Sequence, residues 1–175
     1  MTQFVSRIGR AMRLDVSLFE AVEADKKATA QALLVVVLAA IAGGIGAEAR
    51  SLLGILTNIG VNLLAWFVWA GLTSFIGTKL LPEPQTKSDL GELLRTVGFA
   101  SAPGILRVFG LVLTGFLNQM LFAVVSVWML VAMVIAVRQA LDYKGTARAI
   151  LVCLVGWLVQ VAMVLVSLFM LGKML

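Results

Sequence analysis

The stretch that decides the fold runs from Thr96 to Val137 and reads TVGFASAPGILRVFGLVLTGFLNQMLFAVVSVWMLVAMVIAV. Its 42 residues carry a single charge, at Arg107. An α-helix rises about 1.5 Å per residue and needs about 20 apolar residues to cross the hydrocarbon core of a bilayer. The stretch is long enough for two crossings and must therefore reverse direction. Gly115, Asn118 and Gln119 predict the turn, with the glycine in its tight backbone and the two amides facing water.

Three more uncharged runs cover residues 28–47, 51–78 and 149–172. Hydrophobic residues make up 61% of the 175-residue chain, whereas soluble domains are about half apolar. Each run is long enough for one crossing. We therefore predict an all-α polytopic membrane protein with an N-terminal segment (1–27) and a five-span membrane domain (28–175). The predicted spans are about 28–47, 54–78, 96–114, 119–138 and 149–172.

Lysine and arginine are distributed unevenly between the two ends of these spans. Membrane proteins carry an excess of both residues in their cytoplasmic loops. Eleven of the 14 basic residues fall on the side of the N-terminus, whereas Arg50 and Lys173 fall on the other side. The N-terminus is therefore expected in the cytoplasm and the C-terminus on the opposite side. This asymmetry accounts for the net charge of +5, so nucleic-acid binding is not expected.

The N-terminal segment favours an amphipathic helix. Its apolar residues share one face and its arginines another, with Phe4, Val5, Ile8 and Met12 against Arg7, Arg10 and Arg13. Such a helix lies in the membrane interface with its arginines toward anionic lipid head groups. The alternative to a surface helix is that this N-terminal segment is solvated and has no function. A second short helix is expected to start at Ser17, because Ser17–Glu20 fits a capping box.

Small residues recur at a spacing of four near the end of the first span. The pairs are Ala39 with Gly43, Ala40 with Gly44, and Ala42 with Gly46. Small residues let two helix backbones approach closely within lipid. This face therefore predicts tight helix packing, either with another span of the same chain or with a second subunit.

Pro103 and Gly104 interrupt the third span. Proline removes a backbone donor and clashes with the preceding turn, so a kink or break is expected there, facing the bundle interior or a polar cavity. Arg107 follows three residues later. Beside a broken helix it is a candidate for holding an anionic lipid or substrate group. The alternative is that Arg107 extends to lipid phosphates or to Glu48 and anchors the span.

Other polar side chains within the spans are Asn58, Asn62, Ser126 and Gln160. Amides in hydrocarbon need hydrogen-bond partners and are expected to face the bundle interior. Asn58 and Ser126 are predicted at the depth of Arg107, about 10 Å from the outer ends of their spans, and Gln160 near the middle. With Arg107, these residues are the predicted candidates for ligand or lipid binding.

Much catalytic and metal chemistry has no support in the sequence. The chain has no histidine and one cysteine, and no uncharged run contains a carboxylate. The commonest general base, metal clusters and buried proton relays are therefore unsupported. We expect no enzyme activity, no cofactor and no metal.

Two stretches resemble segments of the Yip-domain (Ypt-interacting protein) family. In RTVGFASAPGILRVFG (95–110), Gly98-Phe99 stands for the Gly-Tyr pair of the third span and Pro103 for its proline. VWMLVAMVIAVRQALDYKGTARAI (127–150) resembles the fourth span and the short loop after it. The resemblance implies five spans and, in eukaryotic members, contact with Rab-type GTPases in vesicle traffic. The Asp-Leu-Tyr-Gly-Pro element of those members is absent here, which favours the bacterial branch and the bacterial inner membrane.

The function expected from the sequence is non-catalytic. The chain is predicted to scaffold or organise the membrane, or to assist assembly, through helix packing and lipid contact. Its expected partners are anionic lipids, other membrane subunits or a second copy of itself. One alternative is a transporter or channel component with an anionic ligand site near Arg107, and another is an accessory subunit of a larger membrane complex.

Overall fold

The computed structural model describes residues 2–47 and 51–174, with the side chains of residues 3–47 and 51–162. This part of the chain folds into helices and contains no strand. In chain order the α-helices are α1 (Thr2–Met12), α2 (Val16–Ala24), α3 (Ala28–Gly46), α4 (Leu52–Phe75), α5 (Leu90–Ala100), α6 (Gly115–Ala140) and α7 (Thr146–Met174). A π-helix (Ile76–Leu80) extends α4, and a 3-10 helix (Ala102–Leu111), the 3-10 segment, follows α5.

Three of the described helices are long and apolar enough to cross a membrane. They are α3, α4 with its π-helical extension, and α6. The first part of α7, Thr146–Ala162, is a shorter apolar helix. These lengths indicate a membrane protein, and the number of five crossings stays a prediction.

The change from α-helix to 3-10 helix occurs beside the predicted interruption. Regular α-helix ends at Ala100, and the 3-10 segment begins with Ala102 and Pro103 as its first two residues. Proline fits there because its missing N–H needs no partner in the first turn of a helix. A bend of the chain axis at Pro103 stays a prediction.

The centre of the bundle is formed by α5 and α3. Helix α5 is buried from Arg95 to Ala100 and contacts α2, α3, α4 and α6. A Cβ added at Gly98 would lie 2.7 Å from the Cβ of Ala32, so the backbones of α5 and α3 approach closely there. Only glycine allows this approach without displacing a neighbour.

The small-residue face of α3 packs within the same chain. Its glycines face the 3-10 segment and α4, where an added Cβ at Gly46 would overlap the carbonyl oxygen of Arg107. A Cβ at Gly44 would lie 3.3 Å from the amide nitrogen of Asn58. This face therefore packs against other elements of the same chain, and packing against a second subunit stays a prediction.

Helices α1 and α2 form a hairpin, here called the N-terminal hairpin (residues 2–24). Leu18, Phe19 and Val22 of α2 are fully buried against the bundle, and Ala11 is the fully buried residue of α1. Leu14 makes the turn with a left-handed backbone (φ 59°), a conformation that costs a residue with a Cβ about 1–2 kcal/mol. The packed interface of the hairpin offsets that cost.

The predicted second short helix is present as α2, but its cap is not Ser17. Helix α2 begins at Val16, and its N-cap is Asp15, whose carboxylate accepts a hydrogen bond from the backbone N–H of Ser17 at 3.0 Å. Aspartate caps helices at least as well as serine does. Asp15 also accepts from Arg10 at 2.7 Å, which fixes the carboxylate at the cap.

The long apolar stretch reverses direction at residues 112–114. Gly115 opens α6 with a positive φ of 57°, which glycine adopts without strain. Asn118 does not face water as predicted, because its amide donates a hydrogen bond to the carbonyl of Gly46 at 3.0 Å. The last carbonyls of a helix such as α3 lack partners within the helix, and Asn118 supplies one of them.

Candidate functional site

A cavity of about 180 Å³ that is partly open to the surface of the bundle lies between α3, α4, α5, the 3-10 segment, α6 and α7. Its wall is formed by both apolar and polar side chains. The side chains with polar atoms come from α4, the 3-10 segment, α7 and the junction between α5 and the 3-10 segment, namely Asn62, Trp66, Trp69, Ser101, Arg107 and Gln160. Several polar groups that converge on one cavity are a feature of small-ligand sites.

The structure brings three of the predicted candidates, Arg107, Asn62 and Gln160, to this cavity. The other two contact residues of its wall. Ser126 accepts a hydrogen bond from the guanidinium of Arg107 at 2.9 Å, and Asn58 accepts one from the amide of Asn62 at 3.1 Å. Asn58 in turn donates to the carbonyl of Ala40 at 2.6 Å, so this amide is committed to helix packing.

The guanidinium of Arg107 forms only part of the hydrogen bonds that it is able to donate. Its guanidinium carbon lies 5.1 Å from the centroid of the Phe122 ring, within the range of a cation–π contact. Its Nε–H is buried and has no acceptor among the described residues. Glu48, the predicted alternative partner, and Arg50 lie outside those residues. The described neighbours therefore stabilise the charge through one hydroxyl and one aromatic face.

Two tryptophans of α4 line the cavity and differ in their hydrogen bonds. The indole N–H of Trp66 donates to the carbonyl of Leu94 at 3.0 Å. The indole N–H of Trp69 is buried without an acceptor in the described part of the chain. Sequence reasoning assigned no site role to Trp69, although Asn62, Trp66 and Trp69 recur at i, i+4 and i+7 and so share one face of α4.

A second intrahelical arginine, Arg95, has a structural role that the sequence did not reveal. Arg95 is 5% exposed, and its Nε donates to the carbonyls of Val22 at 3.0 Å and Glu23 at 2.9 Å. A terminal nitrogen of the same guanidinium also contacts the Glu23 carbonyl. These carbonyls belong to the last turn of α2, where a cation is electrostatically favourable. Arg95 therefore fixes the N-terminal hairpin to α5.

The side chain of Glu23 lies in an acidic setting at the same contact. Partial burial raises its pKa to about 7, and the nearby carboxylates of Asp142 and Glu92 act in the same direction. The charge of Arg95 opposes the shift, and Glu20 adds to it. Because the pKa of Glu23 is raised in the folded protein, protonation of Glu23 favours the packed position of the hairpin.

Two of the three N-terminal arginines form ion pairs within the chain. Arg7 contacts Asp25 at 2.8 Å and Gln31 at 2.8 Å, and Arg10 contacts Asp15 at 2.7 Å. Arg13 is exposed. A role of these residues at the membrane surface stays a prediction.

The tip of the N-terminal hairpin lies against the middle of α6. Trp128, near the midpoint of α6, donates its indole N–H to the carbonyl of Met12 at 2.9 Å. Arg13, Leu14 and Asp15 follow directly, so the charged turn of the hairpin is level with the central part of a helix long enough to span a membrane.

The loop of the second resembling stretch is held by its own side chains. Tyr143 is buried, and its hydroxyl lies 2.7 Å from the carbonyl of Leu81 and 3.0 Å from that of Gly77. Arg138 donates to the carbonyls of Tyr143 and Lys144. These contacts fix the turn between α6 and α7 against the π-helix and have no evident catalytic role.

Metal binding has no support in the described residues, because no group of three histidine, cysteine, aspartate or glutamate side chains there is placed to hold an ion. Cys153 is buried on α7. A thiol in apolar surroundings behaves as a small hydrophobic side chain.

Comparison with known proteins identifies the family. The model of the Yip1 domain matches residues 17–168, from the first turn of α2 into α7, and includes both resembling stretches. No curated protein and no solved structure matches the chain. Because the match covers most of the sequence and the apolar helices are long enough to span a bilayer, the chain is a membrane protein that belongs to the Yip1 domain family.

Proposed function

We propose that this protein is a non-catalytic, five-span protein of the bacterial inner membrane that organises the bilayer around it. It acts through lipid contact at the N-terminal hairpin and through close helix packing. The N-terminus lies in the cytoplasm and the C-terminus on the opposite side.

The proposed five-span topology is supported by the helix lengths and by charge. Helices α3, α4 and α6 meet the length and hydropathy of a span. Together α5 and the 3-10 segment supply a fourth apolar path, and α7, which extends over 29 residues, supplies a fifth. Seven basic residues lie in the connections and helix ends on one side of these elements, which favours that side as the cytoplasmic one. They are Lys26, Lys27, Lys79, Lys87, Arg138, Lys144 and Arg148.

The observation that carries the proposal is the position of the hairpin tip. Arg13 is exposed and follows Met12, whose carbonyl is bound by Trp128 at the middle of α6. A charged side chain at the centre of a bilayer costs about 2.5–3.5 kcal/mol or more. Local thinning of the bilayer and entry of water and head groups reduce that cost. A hairpin of this kind therefore draws the cytoplasmic leaflet inward on one face of the bundle.

Spin labels at matched positions test this proposal. In a Cys153→Ala background that retains Arg13, one label replaces Val16, an exposed residue beside the charged turn. Another replaces Leu130, an exposed residue of α6 two positions beyond Trp128. In phosphatidylglycerol vesicles, we expect the label at position 16 to be accessible to a water-soluble nickel chelate. The label at position 130 should respond to oxygen, which concentrates in the lipid core.

Equal protection of both labels from the nickel chelate would contradict the proposal. It would mean that the hairpin tip sits in undisturbed hydrocarbon, with no thinning around it. Accessibility of both labels would contradict it as well, because α6 would then not face lipid at its midpoint.

A second candidate function is a transporter or channel component with a site for an anionic group near Arg107. The cavity favours this candidate, because Arg107 and Trp69 reach it from different elements. The third possibility, an accessory subunit of a larger complex, is tested by co-purification at fixed stoichiometry.

A further inference from the structure

Two residues that line the cavity carry a buried N–H group that forms no hydrogen bond within the described part of the chain. Arg107 Nε and Trp69 Nε1 are both buried, and neither has an acceptor among the described residues. Leaving a buried donor unpaired costs about 1–3 kcal/mol, and native structures contain few such groups. Two of them in residues that line one cavity of about 180 Å³ therefore indicate an acceptor that is not part of the described chain.

The charge of the cavity indicates what kind of acceptor this is. Its wall has one cation, Arg107, and contains no aspartate or glutamate within the described residues. The remaining polar groups, Asn62, Ser101 and Gln160, are neutral and able to donate or accept. Guanidinium and indole N–H groups are donors only. A group with negative charge and several acceptor oxygens matches this set.

We propose that the cavity binds one oxyanion group, a phosphate or a carboxylate, between Arg107 and Trp69. This inference rests on the second candidate function and is independent of the hairpin. The volume admits an anionic group with a few waters and excludes an acyl chain. The oxyanion comes either from a free solute or from the head group of a lipid whose chains remain outside.

The pair of tryptophans provides a matched comparison. Trp66 and Trp69 line the same cavity from the same helix, but only Trp66 has its N–H paired, to Leu94. Replacing either with phenylalanine removes an N–H and leaves most of the ring volume in place. Trp69→Phe therefore removes a free donor, and Trp66→Phe breaks an existing hydrogen bond.

The first measurement follows the indole N–H of Trp69 by NMR. The full chain, ¹⁵N-labelled in phospholipid-free detergent, is titrated with sodium phosphate against sodium chloride at equal ionic strength. A second arm adds short-chain phosphatidylglycerol against short-chain diacylglycerol, which lacks the phosphate. A saturable downfield shift with phosphate assigns a free anion, and a shift with phosphatidylglycerol alone assigns a lipid head group. No shift in either arm overturns the proposal, because the cavity then holds water only.

Variants separate binding from folding. By calorimetric titration with whichever probe binds, we expect Trp69→Phe and Arg107→Gln each to weaken affinity about tenfold or more, the effect of losing a hydrogen bond to a charged group. Arg107→Lys should recover part of the loss. Trp66→Phe should weaken affinity less than Trp69→Phe and should lower the unfolding temperature, since it leaves the Leu94 carbonyl unpaired.

Equal loss of affinity in the two tryptophan variants would overturn the proposal, because it would indicate a packing effect. The spin-label experiment involves none of the cavity residues. Failure of the oxyanion site therefore leaves the result for the hairpin standing, and the reverse also holds.

Discussion

Arg95 and Arg107 lie twelve residues apart on two consecutive helical elements, α5 and the 3-10 segment, and have opposite surroundings. Arg95 is almost fully buried and directs its guanidinium to two carbonyls at the end of α2. Arg107 is partly exposed, donates to Ser126 and leaves its buried Nε–H without an acceptor in the described structure. Arg95, which is buried, has acceptors for its guanidinium. Arg107, which is half-exposed, retains an N–H without an acceptor in the described part of the chain.

This difference separates a structural charge from a candidate binding charge. Burying a cation is tolerated where the protein supplies enough acceptors to replace water. The acceptors for Arg95 come from the last turn of another helix, so its charge holds two elements together. The described partners of Arg107 supply less than a guanidinium needs, so binding of an anion would complete the site.

The largest effect is expected from Arg95→Met. The substitution leaves the carbonyls of Val22 and Glu23 buried without donors and releases α2 from α5. We expect a loss of about 3 kcal/mol or more in the free energy of unfolding, because several charge-assisted hydrogen bonds are lost at once. Denaturant titration in detergent measures the loss, and limited proteolysis should find the N-terminal hairpin exposed.

The comparison predicts a much smaller cost for Arg107→Gln. Its one described hydrogen bond, to Ser126, contributes about 1 kcal/mol. Equal destabilisation by the two substitutions would show that both arginines are structural.

An intermediate effect is expected from Gly46→Ala. This substitution displaces the backbone of Arg107 and the ring of Phe122 and leaves the Arg107 side chain unchanged. An added Cβ would overlap the Arg107 carbonyl and lie 3.1 Å from the Phe122 ring. Overpacking of this kind costs about 1–3 kcal/mol. Thermal unfolding measures the cost, and affinity for the oxyanion probe that binds should fall as well.

Gly60→Ala is the matched control, because nothing lies within 4 Å of a Cβ at that position. It should be neutral or stabilise α4 by up to about 1 kcal/mol. Destabilisation by both substitutions to the same extent would mean that the contact at Gly46 is not the cause.

The smallest effect concerns the acid beside Arg95. Burial and neighbouring carboxylates raise the pKa of Glu23 to about 7 in the folded protein, above its ordinary value of 4.5. The folded state therefore binds more protons than the unfolded state between pH 4.5 and 7, and stability falls as pH rises through this window. Glu23→Gln should remove this slope and slow hydrogen exchange of α2 above pH 7.

Three other acids, Asp15, Asp25 and Glu83, have lowered pKa values, so they titrate below this window and do not obscure it. A slope that persists unchanged between pH 5 and 7 in Glu23→Gln would assign the pH dependence to another group.

Local features of the fold could be predicted from sequence because they depend on neighbours along the chain. Asp89 and Glu92 lie three residues apart in the sequence and form a capping box at the start of α5. Gly115 was expected at the reversal and has the positive φ there. Helix α3 covers Ala28–Gly46 because the apolar run is bounded by charges on both sides.

The candidate site could be predicted only in part, because hydrogen-bond satisfaction depends on distant segments. The sequence identified Arg107, Asn62 and Gln160 as polar residues in apolar surroundings. It could not distinguish Trp69 from Trp66, since the difference is the Leu94 carbonyl 28 residues away from Trp66. The role of Arg95 depends on α2, 72 residues earlier in the chain.

The 3-10 segment gives the position of Arg107 an unusual sensitivity to helix type. A 3-10 helix turns about 120° and rises about 2.0 Å per residue, against about 100° and 1.5 Å in an α-helix. Over the five residues from Ala102 to Arg107, conversion to α-helix would rotate the guanidinium by about 100° and retract it by about 2.5 Å. A change from the 3-10 to the α-helical hydrogen-bonding pattern would therefore be enough to move the charge of Arg107 away from Ser126 and out of the cavity wall.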